Sequence, residues 1–207
     1  MSRVKICGLS RVEDAAAANR ALPDYVGFVF ASSRRRIDEM KALTLKETLD
    51  SRIKTVGVFV NQAFDFITGL YHSGVIDLAQ LHGDEDDDYI EGLKKRCTLP
   101  VIKAIGVGNT LPPLPKSADY LLFDTASAQR GGAGKVFDWS LLTAFDESPF
   151  FLSGGLNLLN VSDAIRTLSP FCVDVSSGVE TNGAKDAEKI YQFTRIAKGT
   201  DNRHNAG

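Results

Sequence analysis

The chain is poor in the residues that build metal and disulfide sites: three cysteines, three histidines and one tryptophan in 207 residues. Cys7, Cys97 and Cys172 are odd in number and no two form a C-x-x-C pair, which excludes a disulfide framework and a zinc ribbon and fits a reducing compartment. So few histidines, with no H-E-x-x-H, leave no histidine-rich metal site, and no metal is expected. No apolar stretch approaches the roughly 18 residues of a membrane span. The N-terminal MSRVKICGLSRVEDA carries charge through its short apolar run, so it does not read as a signal peptide. A basic surplus is also missing: 24 Lys and Arg against 26 Asp and Glu leave a net charge of −2, which disfavours a nucleic-acid partner. The expectation is a soluble, cytoplasmic protein with neither membrane nor nucleic acid as partner.

The composition, 43% hydrophobic and 24% charged, is that of an ordinary globular chain, and the length fits one domain. Apolar runs rich in Val, Ile and Phe alternate with helical segments throughout. Strands are expected at Val4 to Cys7, Tyr25 to Phe30, Thr55 to Val60, Ile76 to Leu81, Pro100 to Ala104, Tyr120 to Asp124, Phe150 to Leu152 and Phe171 to Val175. Helix signals lie between them. Ser10 with Glu13 forms a capping-box pattern ahead of Ala15 to Ala18, and Asn61 precedes Gln62 to His72 in the same way. Thr44 to Asp50, Glu85 to Lys95, Asn157 to Leu168 and Lys185 to Lys198 complete the set, while Pro112, Pro113 and Pro115 break any long helix after the fifth strand.

Strict alternation with near-continuous apolar strands argues for a parallel sheet buried on both faces, and eight units close naturally into a single-domain (β/α)8 TIM barrel. The domain is expected over 1–198, with 199–207 as a flexible tail. An open doubly wound sheet would want a glycine-rich fingerprint after its first strand, where Cys7-Gly8-Leu9-Ser10 has one glycine. Gly106-Val107-Gly108 starts like G-x-G-x-x-G but meets Leu111 at the sixth position. Gly134-Lys135 ends like a P-loop, but Gln129 and Val136 break the pattern, so no cofactor is expected.

Function in such a barrel collects at the C-terminal strand ends. Ser153-Gly154-Gly155 and Ser177-Gly178-Val179 follow the seventh and eighth strands, where backbone N–H groups often hold a phosphate that a bulky side chain would keep away. Cys7 ends the first strand with Lys5 on the same face, about 6–7 Å away by strand geometry, and a nearby cation favours thiolate; an inert buried thiol is the alternative. Asp124 ends Tyr120-Leu121-Leu122-Phe123, where a carboxylate has no packing purpose, so it stands as an acid–base candidate beside the plainer reading of a loop-anchoring Asp. Arg35 offers a fork for a carboxylate, with Arg34 and Arg36 as solvated neighbours. The acidic run Asp84 to Asp88 could be read as a magnesium site, but the favoured reading is that its side chains suit the positive end of a helix beginning there.

Together the segments Lys5-Ile6-Cys7-Gly8-Leu9, Gly27-Phe28-Val29-Phe30 through Arg35, Val56 to Asn61, Gln80-Leu81-His82-Gly83-Asp84-Glu85, Phe123-Asp124-Thr125, Gly131-Gly132-Ala133-Gly134-Lys135, Phe137-Asp138-Trp139, Ser153-Gly154-Gly155-Leu156 and Val173 to Glu180 resemble the phosphoribosylanthranilate isomerase family, in order, over residues 3 to 198. The resemblance implies a cofactor-free Amadori rearrangement of N-(5-phosphoribosyl)anthranilate in tryptophan biosynthesis. It implies Cys7 as general base, Asp124 as general acid, Arg35 on the anthranilate carboxylate and Gly154, Gly155, Ser177 and Gly178 on the phosphate. Asp174 is implied at the bridging amine or at ring opening, with His82 and Lys103 as pocket walls. The partner implied is one small phosphorylated molecule, the assembly a monomer or homodimer. The chain departs from the family's pattern in its three consecutive arginines, where the spacing to Phe30 and Ile37 selects Arg35, and in Ser153, where an alanine is common. Two alternatives stay open: a histidine-pathway aminoaldose isomerase, which would want a carboxylate at position 7, and a catalytically silent phosphate-metabolite binder.

Overall fold

The computed structural model describes residues 1–126, 137–146 and 148–199. The Gly131 to Lys135 segment, Gln129, Val136 and the tail after Gly199 lie outside the described residues. Eight strands, β1 (Arg3–Cys7), β2 (Tyr25–Val29), β3 (Lys54–Phe59), β4 (Leu78–Leu81), β5 (Val101–Val107), β6 (Tyr120–Thr125), β7 (Phe150–Leu152) and β8 (Cys172–Val175), close into one barrel in chain order. Every pairing is parallel, including β8 onto β1, where Lys5 lies opposite Asp174. Alternate residues serve two cores. Tyr25, Val56, Leu78, Ile102, Leu122, Phe151 and Cys172 fill the barrel interior, while Val4, Ile6, Val26, Phe28, Ala79, Val101, Phe123 and Val173 pack outward against the helices. The expected period of two is therefore present, with both faces buried.

The helices are α1 (Val12–Ala21), α2 (Glu39–Thr48), α3 (Phe64–His72), α4 (Asp87–Lys94), α5 (Val161–Leu168) and α6 (Ala187–Ala197). Residues 108–119 between β5 and β6 form no helix, in line with their three prolines. Several expected starts move. The Ser10–Glu13 capping pair does not form; Asp14, buried, accepts the N–H groups of Ser10 and Arg11 at 2.9 and 3.0 Å. Nor does Asn61 cap α3, which starts after Ala63. Asn61 takes a left-handed φ of 50° and binds Asp84 across to the β4 loop, accepting its N–H at 2.8 Å. α2 begins at Glu39 because Asp38 accepts the Lys41 N–H, and α4 begins after Asp86, which accepts that of Tyr89.

One element was not foreseen. After β8 the chain makes a one-turn helix at Ser177–Val179 and a hairpin of β9 (Glu180–Thr181) and β10 (Ala184–Lys185). Asn182 and Gly183, with φ of 53° and 80°, form the turn, as Asn-Gly does in two-residue hairpins. This hairpin carries Glu180 and Lys185 to the barrel rim.

Candidate active site

The C-terminal rim is organised around a buried ion pair. Lys5, fully buried, donates from Nζ to Asp174 Oδ2 at 2.9 Å. Burial opposes the ammonium charge, but Asp174 and Cys7 outweigh it and hold Lys5 above its ordinary range. Among the described residues, Asp174 Oδ1 is buried with no hydrogen-bond partner. The thiol does not behave as expected. Burial pushes Cys7 above its ordinary 9.0, and Lys5 and Lys185 offset this only in part while Asp174 adds to it. The Lys5 cation does favour the thiolate, but desolvation of a thiolate costs more than the cation returns. Gly27 makes room for this group: a Cβ there would lie 2.8 Å from Cys7 Sγ.

Asp124 projects inward from the end of β6 with a fifth of its side chain exposed (20%). Burial, then the charge of Asp174, raise its pKa to about 6 against the opposing pull of the Thr125 N–H, bonded at 2.7 Å, and of Lys5. Burial therefore shifts Asp124 toward the protonated acid, while at pH 7 a carboxyl of pKa about 6 is still mostly ionised. His82 Nε2 stands 3.7 Å from Asp124 Oδ2, and Gln80 Nε2 lies 3.0 Å from His82 Nδ1. Burial first, then Lys5, lower the His82 pKa to about 4, so the ring is neutral at pH 7.

The two glycine turns meet beside this acid. Gly154 and Gly155 have φ of 85° and 72°, and a Cβ on Gly154 would be 3.0 Å from Asp124 Oδ1. A Cβ on Gly178 would lie 1.9 Å from the carbonyl oxygen of Leu156, so the β7 and β8 loops touch backbone to backbone. Such closeness presents amides from both loops on one side of the rim.

Arg35 lies across Gly8, where a Cβ would meet Arg35 Cδ at 2.4 Å, so its side chain runs over the residue that follows Cys7. Its fork grips a carboxylate of the protein itself: Nε to Glu180 Oε1 at 2.7 Å and NH2 to Oε2 at 3.1 Å. Arg34 is not simply solvated, since it donates to Glu180 Oε2 at 2.6 Å, and Lys185 donates to Oε1 at 3.0 Å. Glu180, Lys185, Gln80 and Gly27 are the residues that the sequence reading missed. The Asn-Gly dipeptide and a glutamine inside an apolar strand were the signals available for three of them.

Lys103 corrects its expected place. It sits out of phase with the interior residues Ile102 and Ala104, and its ammonium binds Glu85 Oε2 at 2.8 Å and the Gly83 carbonyl at 2.7 Å. It braces the β4 loop from the helix side rather than lining the mouth. Asp84 to Asp88 divides accordingly: Glu85 holds Lys103, Asp86 caps α4 and Asp87 accepts the N–H groups of Lys116 and Ser117. Among the described residues no His, Cys, Asp and Glu cluster could hold a metal ion, and no helix is long and apolar enough to cross a membrane.

A closed (β/α)8 barrel carrying a thiol, one buried and one partly buried carboxyl and paired glycine loops on its C-terminal rim is the frame of a barrel enzyme. Residues 4–195 match the family described as N-(5'-phosphoribosyl)anthranilate isomerase. The chain is 50% identical to N-(5'-phosphoribosyl)anthranilate isomerase of Endomicrobium trichonymphae over 199 residues, covering 96% of this chain and 99% of that one. In structure it is similar to phosphoribosyl anthranilate isomerase from Thermotoga maritima, with a TM-score of 0.83 at 38% identity over 96% of this chain and all (100%) of the other. A further solved phosphoribosyl anthranilate isomerase, in complex with reduced 1-(o-carboxyphenylamino)-1-deoxyribulose 5-phosphate, superposes with a TM-score of 0.80 at 36% identity, over 96% of this chain and 100% of that one. The chain belongs to the N-(5'-phosphoribosyl)anthranilate isomerase family, and it is an isomerase of tryptophan biosynthesis.

Proposed function

We propose that this rim rearranges N-(5-phosphoribosyl)anthranilate to 1-(2-carboxyphenylamino)-1-deoxyribulose 5-phosphate, with Asp124 as general acid and Cys7 as general base. Asp124 gives its proton to the ribose ring oxygen as the bond from that oxygen to C1 breaks, leaving an iminium. The Cys7 thiolate then takes the C2 proton, and the electron pair of that bond forms an enolamine, which tautomerises to the ketone. C1 is reduced and C2 oxidised within one molecule, so acid–base groups suffice and no external oxidant or reductant enters.

One observation carries the assignment: the carboxyl with pKa raised to about 6 abuts Gly154 of the paired loops, so proton donor and anion cradle share one wall. A phosphate on the amides of Gly154, Gly155, Ser177 and Gly178 would therefore bring its ribose over Asp124 and Cys7. The unpartnered Oδ1 of Asp174 is a ready acceptor for the bridging amine N–H. Arg35 would hold the anthranilate carboxylate beside Cys7. Every residue in this assignment comes from one chain, so residues 1–198 would form one catalytic barrel that works as a monomer or homodimer, in the cytoplasm.

Phosphoribosylanthranilate fluoresces through its anthranilate ring, so loss of signal on mixing with the purified protein reports turnover. Decay faster than the spontaneous rate is expected. Decay at the spontaneous rate alongside tight binding of the substrate would favour a silent binding protein.

A further inference from the structure

Gln80 is a polar side chain without a packing reason for its place. It points into the barrel from β4, in register with Val58 of β3 and Ile102 of β5, and is 1% exposed. Its Nε2 lies 3.0 Å from His82 Nδ1, while its Oε1 is buried without a partner among the described residues. Turning the amide over would set Oε1 against the ring and put an NH2 with two donors where Oε1 now lacks a partner. As placed, the amide leaves one N–H and the carbonyl oxygen unpaired; turned over, it would leave both N–H groups unpaired, and an orphaned N–H is the rarer and costlier of the two, so the amide donates and Nδ1 accepts. The ring is neutral at pH 7 and carries its one proton on Nε2, the nitrogen that faces Asp124.

We propose that Gln80 is a positioning residue for the rearrangement: its amide fixes His82 as the Nε2–H tautomer, which presents a donor to Asp124 as that carboxyl loses its proton. The inference rests on the acid role assigned to Asp124 above. At 3.7 Å the pair is not hydrogen-bonded, and a closure of under an ångström on substrate binding makes it so. Proton counting is simple. Asp124 passes one proton to the ring oxygen, His82 keeps its own, and the new carboxylate gains a hydrogen bond. His82 is no second acid, because burial and Lys5 both oppose the imidazolium that would have to lose a proton. With the opposite tautomer a bare nitrogen lone pair would face the new carboxylate and slow the step.

The test starts with the wild-type protein and needs no turnover. With isotope-labelled histidine, nitrogen NMR separates protonated from bare ring nitrogens, and the His82 signals are assigned by their loss in His82→Gln. A protonated Nε2 with a bare Nδ1 is expected; a proton on Nδ1, or an even mixture, overturns the proposal. In Gln80→Leu the tautomers should mix and kcat should fall about tenfold, the worth of one hydrogen bond to a charged group, while KM moves less than about twofold. His82→Gln, which keeps an amide donor near the Nε2 position, should retain more activity than His82→Leu. Mixed tautomers with an unchanged kcat in Gln80→Leu would also overturn it. A wild-type protein with the expected tautomer and no turnover would instead count against the assigned reaction.

Discussion

Arg35 and Glu180 form a bidentate pair, Nε to Oε1 at 2.7 Å and NH2 to Oε2 at 3.1 Å, so the fork assigned to the substrate carboxylate already holds a carboxylate of the protein. Arg34 and Lys185 bind the same Glu180, which leaves the cluster with cations in excess of anions and attractive to a further carboxylate. Arg35→Ala should raise KM by about 10- to 100-fold, the range expected for lost hydrogen bonds to a charged group, with a smaller effect on kcat. Arg35→Lys should fall between, because a point charge lacks the fork. Steady-state kinetics decide it, and an unaltered KM in Arg35→Ala removes that residue from the substrate site.

Glu180 should also matter to the fold. Its carboxylate and the Lys185 ammonium are 6% and 2% exposed, and removing one partner of so buried a pair costs about 3 kcal/mol. Burial alone would raise the Glu180 pKa, but Arg35 and Lys185 hold it below the ordinary 4.5. A carboxyl lowered on folding contributes stability that is complete above its unfolded value and is lost as pH falls through the folded one. The melting-temperature gap between wild type and Glu180→Gln should therefore be wide at neutral pH and narrow as pH drops below 4.5. A gap independent of pH would mean that the carboxylate charge is not what stabilises the hairpin.

Cys7 and Asp124 should titrate in reverse order of need. The acid has a pKa of about 6 and the thiol lies above 9.0, so the working combination of thiolate and carboxylic acid is scarce at every pH in free enzyme. A gap of three pH units or more makes it at most about one molecule in a thousand. The profile of kcat/KM should still be a bell, rising near 6 and falling above 9.0, because this minority form has the same total proton count as the dominant one. Alkylation of Cys7 in a Cys97→Ser background should follow the thiolate alone, slow at neutral pH with a midpoint above 9.0. A midpoint below neutral would show that Lys5 outweighs burial, as the sequence alone had suggested.

Gly27 should be required for the base. A Cβ at that position would sit 2.8 Å from Cys7 Sγ and 3.1 Å from its Cα, so the thiol has to swing away or the strands part. In Gly27→Ala we expect kcat to drop by about tenfold or more, since small misplacement of a catalytic group costs up to about a hundredfold. KM should move less, because Arg35 and the glycine loops are untouched. Normal kcat in a folded Gly27→Ala protein would show that Cys7 need not occupy its observed position.

The barrel was legible because its signals are local and repeated: eight apolar runs, each ended by small or polar residues, survive errors of one or two residues at their boundaries. Asp124 stood out for a related reason, since a charge at the end of an apolar strand has no packing purpose, whereas Arg35 was selected from three consecutive arginines by its spacing to Phe30 and Ile37. What failed was anything set by contacts across the chain. The Asp14 cap depends on which of two neighbouring acids is buried, and the misplaced Lys103 depends on strand phase, which flips with one residue of slip. The Cys7 thiol was misjudged because strand spacing reveals the neighbouring cation but not how much water the fold removes. Glu180 went unseen because its arginine partners stand 145 and 146 residues away in sequence and its lysine partner lies across a hairpin that was not expected.

Asp124 should be costly to the fold in proportion to its use. Its pKa rises from 3.8 unfolded to about 6 folded, so the folded state resists ionisation. A carboxyl raised on folding adds no penalty below 3.8, a growing one between 3.8 and 6, and the full one above. At about 1.36 kcal/mol for each pKa unit, the full penalty is on the order of 3 kcal/mol. Asparagine keeps a carbonyl oxygen for the Thr125 N–H and sheds the charge, so Asp124→Asn should melt higher than wild type near pH 8 and level with it at about pH 4. Its amide hydrogens face the His82 nitrogen, which trims the gain. Turnover should fall by about 10² to 10⁴ in the same protein, because the amide has no proton to give. Unfolding curves at the two pH values and one rate measurement suffice; a variant no more stable than wild type near pH 8 would show that the site does not burden the carboxylate, and a variant that keeps its rate would take the acid role away from Asp124.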